Sequence, residues 1–341
     1  MVQREKLYPL THPQMGIWLT ESFYKGTSVC NIAQTIKFNE EIEVDLLQIA
    51  VNKVIEENEG IRLRMTEENG EIKQYISPYR FYKLDVLDFS SDKNTCDDVL
   101  WTENCTKKAF VLKDSDLFYF KVLKLCNGKN ALYLKLHHLI TDAWGMSLIV
   151  NQIVEYYEML VEGEKLPSEV RPTYTEYILD EAEYKKSKRF LQSKEFWNKE
   201  FETPMITRIG TDTKDYRDIK ASRKTYVVPQ SITNDIKYFC RENNISIYIL
   251  FLTVLHIYLS KISSMEDIVI GTVFHNRPSS VKKNTAGMFV NTVPFRNNIP
   301  WNCTFSDALK SVSLKLATVL RHQRYPYDLV LEDLRRKYKI D

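Results

Sequence analysis

Glycine and proline are scarce in this 341-residue chain, 10 and 11 residues. That scarcity excludes a long flexible linker or a low-complexity segment. Charge of one sign is scarce as well. The net charge of +2 provides no phosphate-neutralising surface and argues against nucleic acid as a main partner. Of the six cysteines, Cys30, Cys96, Cys105, Cys126, Cys240 and Cys303, no two stand at C-x-x-C spacing. With no secretory leader, they are expected to be reduced thiols of a cytoplasmic protein, with neither a disulfide framework nor a metal site. Long hydrophobic runs are also missing. The most apolar, Ile245 to Ile262, is interrupted by Ser246, Thr253, His256, Ser260 and Lys261. It is expected to be a buried helix, not a membrane span. No short-period repeat is visible.

What is present is the material of a mixed α and β protein too long for one core. Two lobes are expected, residues 1–170 and 171–341, with the boundary in the stretch from Gly163 to Pro172. Leu46, Leu47, Ala50, Val51, Val54 and Ile55 recur at helical spacing after Asp45. "IRLRM", Ile61 to Met65, alternates as a strand, and Asn69-Gly70 signals a hairpin. Strands are expected at Phe118 to Leu125 and Ala131 to His138 around a turn at Asn127-Gly128. Met146, Ile149, Val150, Ile153, Tyr157 and Leu160 then mark a helix that Thr141 or Asp142 can cap. Further along, a polar lysine-rich helical stretch runs from Tyr184 to Glu200. Strands are expected at Arg223 to Val228, Ile268 to Phe274 and Phe289 to Arg296. Helices are expected at Thr233 to Asn243, Ser246 to Ile262 and Phe305 to Leu320.

"LYLKLHHLITDAWG", Leu132 to Gly145, places two histidines where the period changes from strand to helix. Strand–helix junctions expose reactive groups on a rigid scaffold. By alternation His138 shares the face of Leu132, Leu134 and Leu136, and His137 the face of Lys135. A histidine on an apolar face is held neutral, the form that accepts a proton. The competing reading is a packed histidine satisfied by a backbone carbonyl. A zinc pair is disfavoured, because adjacent strand residues diverge. Asp142 either caps the helix or sits buried against a cation, and Arg277 in "GTVFHNRP" is the partner expected from the other lobe.

"HHLITDAWG" resembles the HHxxxDG signature of nonribosomal peptide synthetase condensation domains. "YPLTHPQMGIWLTE", "ENEGIRLRM", "IVIGTVFHNRP", "GMFVNTVPFR" and "HQRYPYD" resemble further motifs of that family, in family order and over nearly the whole chain. The resemblance implies two lobes like chloramphenicol acetyltransferase, arranged as a V with the histidine motif in a tunnel between them. It implies His138 as the catalytic histidine, and His137, Asp142, Gly145 and Arg277 as structural members of the site. Arg62, Trp144 and Asn291 are expected to line the tunnel. Gly16 and Trp18 fall within motifs too; Trp18, with Tyr325 and Tyr327, is read as packing. The sequence departs from the signature at Ala143, where the family has glycine, and at Gly145, where it has serine. An alanine there implies a backbone with no need of positive φ. The mid-chain "TYTEYILDE" lacks the family's tryptophan. The C-terminal lobe is expected to be cut short relative to the family.

The implied reaction joins a donor acyl thioester to the amine of an acceptor aminoacyl thioester. No cofactor is bound; phosphopantetheine arrives on carrier domains, or coenzyme A carries the donor in a starter reaction. The implied partners are carrier domains, a downstream adenylation domain and an acyl-CoA or acyl-carrier donor. The opening around "TSVCN" resembles starter domains, and an internal elongation domain is the other subtype. Two rival functions stand beside these: an ester-forming acyltransferase using acyl-CoA, and a silent carrier-docking module. The retained His138 speaks against the last.

Overall fold

The strand Asn130–His137 is the centre of one compact unit, residues 1–186 with 277–290. In the computed structural model the described residues are 6–90, 97–125, 128–168, 171–203 and 221–339. Cys96, Cys126 and Asn127 lie outside them. The central strand pairs antiparallel with Asn31–Phe38 on one side and Phe118–Lys124 on the other. Val86–Asp88 adds in parallel beyond. Leu132, Leu134 and Leu136 point to the face covered by the helices Val44–Glu57 and Ala143–Val161. Burying each contributes roughly 2 kcal/mol. Ala131 and Tyr133 point the opposite way, onto Cys105 of the helix Asp97–Thr106. With both faces covered, all eight strand residues are buried.

A second sheet in this unit runs Tyr8–Pro9, Glu71–Ile76, Leu63–Glu68. Asn69 and Gly70 turn its hairpin with φ of 54° and 80°, the left-handed pair that a type I′ turn needs. The expected strand from Ile61 begins only at Leu63, because Glu59–Arg62 forms a 3₁₀ turn. The helix His12–Phe23 opens on a capping box, Thr11 with Gln14.

The change of unit falls at Ser187, not at the expected 170/171. The helix Tyr174–Lys185 buries Tyr174, Tyr177 and Ile178 in the first core and so belongs there. Ser187 then accepts from the Phe190 amide at 3.2 Å and starts the helix Lys188–Glu200. The lysine-rich stretch read as one helix is therefore two.

The second unit comprises residues 187–276 and 291–341. Its strands Asp267–Phe274 and Asn291–Asn298 pair antiparallel. The helices Lys188–Glu200, Ile247–Ser263, Phe305–His322 and Tyr327–Tyr338 contribute with them to a core holding Trp197, Val293, Phe295, Val312 and Tyr325. Gln230–Glu242 packs on Ile247–Ser263. Two expectations fail here. Residues 223–228 form no strand; Tyr226 and Val227 are exposed. The Ile247–Ser263 helix exists but is buried on one side only. Leu252, Thr253, His256 and Leu259 face inward, while Phe251, Val254, Leu255 and Tyr258 are exposed. No single helix among the described residues is long and apolar enough to cross a membrane. The pair Gln230–Glu242 and Ile247–Ser263, bent by 100°, passes that test only together.

Candidate active site

The central strand ends at His137, and residues 138–140 form a turn before the helix Ala143–Val161. Two backbone bonds shape it: His138 donates to the Cys30 carbonyl at 2.8 Å, and Ile140 donates to the His137 carbonyl at 3.0 Å. Alternation holds through Lys135 but does not extend to His138, which is past the strand. The expected contrast between the two histidines is reversed in depth. His137 is 1% exposed, and His138 is half-buried. Lys135, on the face of His137, is itself buried over the Phe110 ring.

His138 sits where burial lowers its pKa below the usual histidine value. The backbone of His138 and Thr141 and the charge of Asp142 oppose this in part, while His137 adds to it. Its Nδ1 is buried and makes no hydrogen bond. The ring is therefore neutral at neutral pH and able to take a proton.

Asp142 is fully buried, and its carboxylate is enclosed by donors. Oδ1 accepts from the Gly145 amide at 2.8 Å and from Arg277 Nη2 at 3.1 Å. Oδ2 accepts from Arg277 Nη1 at 3.2 Å and from the Phe289 and Val290 amides at 3.0 and 3.1 Å. The two readings of Asp142 thus hold together: it caps the helix and pairs with a buried cation. Arg277 is also fully buried, donates to the Gly287 carbonyl at 3.1 Å and lies 4.0 Å from the Phe289 ring centroid. The expectation that it comes from the other lobe fails. It belongs to 277–290, a strap of the same unit as Asp142.

Close backbone approach seats that strap. A Cβ on Gly60 would stand 2.3 Å from the Ala286 carbonyl oxygen, and one on Gly287 would stand 2.2 Å from Tyr174 Cδ2. One on Gly145 would stand 2.4 Å from Thr141 Oγ1 and 3.1 Å from the Gly287 carbonyl oxygen. Ala143 has no positive φ, so the backbone there does not call for glycine.

The remaining expected residues each make contacts of their own. Trp144 is 41% exposed and donates from Nε1 to the Lys283 carbonyl at 2.8 Å. Arg62 donates to the carbonyls of Ile55, Ser77 and Glu56 at 3.1, 2.8 and 3.2 Å. It ties a helix end to a strand end. Asn291 belongs to the second unit and donates to the Gln323 carbonyl at 2.6 Å. Trp18 packs against the first core and Tyr325 lies inside the second, whereas Tyr327 is partly exposed. Sequence reasoning misses Glu21, whose Oε1 lies 3.1 Å from His137 Nε2. The one available signal is its position seven residues after Gln14, on the same helix face.

The fold is that of condensation-domain structures. The structure of a variant of the starter condensation domain of rhizomide synthetase, in complex with C8-CoA, superposes with a TM-score of 0.85 at 22% identity, over 98% of this chain and 75% of that one. Residues 4–340 match the family model for the condensation domain, and the chain belongs to that family. It is 36% identical over 333 residues to surfactin synthase subunit 1 of Bacillus subtilis (strain 168), spanning 96% of this chain and 9% of that protein. It is 33% identical over 338 residues to a plipastatin synthase of the same organism, spanning 98% and 13%. The chain is thus a small part of the length of these relatives.

Proposed function

We propose that the chain forms an amide bond between a donor acyl thioester and the amine of an acceptor aminoacyl group held as a thioester on a carrier domain. The amine nitrogen attacks the donor carbonyl carbon, the C–N bond forms, and the C–S bond breaks to release a thiol. An α-amino group has a pKa near ~8, so a useful fraction is neutral before attack. The proton is lost after attack, and His138 receives it and returns it to the departing sulfur. The observation that carries this reading is His138 itself: half-buried in the turn that closes the central strand, with its pKa lowered by burial so that the ring is neutral. Asp142 and Arg277 touch neither substrate; they hold the helix start and the strap beside the histidine turn. Bringing both thioesters to one site supplies the rest of the rate by proximity.

Donor and acceptor are proposed to arrive on phosphopantetheine arms of carrier domains, or the donor as an acyl-coenzyme A. The starter subtype, fatty acylation of a first amino acid, is favoured because a starter domain with C8-CoA bound shares the fold at a TM-score of 0.85. A cytoplasmic location is proposed from the free cysteines Cys30, Cys105, Cys240 and Cys303. The test is intact mass of an aminoacyl-loaded carrier after incubation with this chain and acyl-coenzyme A. A gain of one acyl mass, lowered about 10² to 10⁴-fold in rate by His138→Ala, supports the reading. A fall below threefold removes His138 from the reaction.

A further inference from the structure

We propose that Glu21 is a positioning residue: it orients His137, and through His137 the turn that presents His138. The inference rests on the reading of His138 given above. Gln14 and Glu21 lie on one face of the helix His12–Phe23. Gln14 Nε2 donates to the Leu139 carbonyl at 3.0 Å. Glu21 Oε1 reaches His137 Nε2 at 3.1 Å. One helix therefore grips the turn on both sides of His138.

The donors fix where the protons are. The Leu139 amide can only donate, and it reaches His137 Nδ1 at 3.1 Å. Nδ1 therefore carries no proton, and the neutral ring carries it on Nε2. That Nε2–H points at the Glu21 carboxylate. The Cys30 thiol approaches the same carboxylate. Burial first, then the charge of Glu21 and a hydrogen bond to it, push the thiol up to about 12, so it stays protonated. Cys30 also accepts the His138 amide at its carbonyl, at 2.8 Å. His137 and the Cys30 thiol, on separate segments, thus flank one buried carboxylate, their side-chain atoms within 4.8 Å of it, and both segments bond the turn directly.

Glu21, Cys30 and His137 place three ligand-type atoms within 4.8 Å of one another, so a bound cation is the competing explanation. The Leu139 bond disfavours it. A metal on Nε2 would move the ring proton to Nδ1, where it would oppose the Leu139 N–H.

The experiment uses the full chain labelled with ¹⁵N-histidine, as wild type, Glu21→Gln and Glu21→Met. The wild-type spectrum is expected to show His137 protonated on Nε2 and bare on Nδ1, unchanged by added zinc. Glu21→Gln keeps an acceptor and should hold kcat within about threefold of wild type. Glu21→Met removes it and should lower kcat about tenfold to a hundredfold, with both KM values within about threefold, the pattern of a displaced group. If Glu21→Met does not fold, Glu21→Leu, which likewise offers no acceptor, replaces it with the same expected outcome. A proton on Nδ1, wild-type kcat in Glu21→Met, equal losses in the Gln and Met variants, or one tightly held zinc per chain would each overturn the proposal. The ring-nitrogen spectrum needs no turnover. Absence of amide formation by the wild type would therefore refute the proposed function without deciding the role of Glu21.

Discussion

Asp142→Asn is the smallest change available at the site, one oxygen for one NH₂ group, and the structure makes it a severe one. Oδ1 faces two donors and Oδ2 faces three, all within 3.2 Å. An asparagine must aim its own donor at one of these groups. Turned toward the Oδ1 side, it meets the Gly145 and Arg277 N–H groups and cancels the helix cap, itself worth about 1 kcal/mol. Turned the other way, it meets Arg277 and both strap amides. In either orientation Arg277, fully buried, loses its counter-charge. Removing one partner of a buried pair costs about 3–5 kcal/mol, and that loss dominates. The expected outcome is a destabilisation in that range by urea unfolding, with the Phe289 and Val290 amides losing hydrogen-exchange protection first. Arg277→Met should cost at least about 2 kcal/mol less in the Asp142→Asn background than in wild type, since the stranded charge is already gone. A loss below about 1 kcal/mol, or protection at Phe289 and Val290 equal to wild type, would refute the cage.

On the proposed role of His138, its lowered pKa sets the pH dependence of its contribution. The ratio of wild-type to His138→Ala rates, in which the acceptor amine's own titration near ~8 cancels, should fall only as pH drops through a value below the ordinary ~6.5, and a midpoint of that ratio at or above ~6.5 would remove the burial argument. His256 is buried in the second unit with its pKa lowered by burial. Because the unfolded chain takes up that proton first, stability should decline as pH falls below ~6.5, by up to about 1.4 kcal/mol per pH unit. His256→Leu should flatten the decline between about pH 7.5 and 5.5 by urea midpoint; an unchanged slope would assign it elsewhere. Gly60→Ala should destabilise by roughly 1–3 kcal/mol through its clash with the Ala286 carbonyl. Gly16→Ala, in a helix with nothing within 4 Å of the added carbon, should stabilise by about 0.5–1 kcal/mol. Equal effects at the two glycines would contradict the seating of the strap.

Much of this fold is legible where local chemistry decides it. The Asn69-Gly70 hairpin, the capped helix after Asp142 and the leucine face of the central strand all follow from period and turn residues. Burial in the second unit is not legible. In Ile247–Ser263 the polar residues Thr253, His256 and Ser260 lie on the buried side while Phe251, Val254, Leu255 and Tyr258 are exposed, so its pattern points away from the side that meets a core. The site divides in the same way. The motif marks His138 and Asp142, and a cation for Asp142 is foreseeable as Arg277. That Arg277 lies in the same unit depends on the chain crossing back after residue 276, which no local pattern encodes. Parity holds for His137, which shares Phe110 with Lys135; it does not reach His138, because the strand stops at His137, and the depth of His137 is not legible because the strand's second face is also covered. Glu21 escapes notice because its bond to His137 spans 116 residues.

The strap from 277 to 290 bears on how the gene can be cut. Residues 187–276 can be exchanged as a cassette while the histidine turn, its aspartate and its arginine all stay with the recipient. A crossover at 187 that replaces everything downstream is a different operation. It leaves Asp142 with the recipient and takes Arg277, Gly287 and the Phe289 and Val290 amides from the donor. The charge balance and the glycine contacts of the site then depend on two parents. Chimeras should therefore tolerate the first exchange better than the second at the same overall sequence identity.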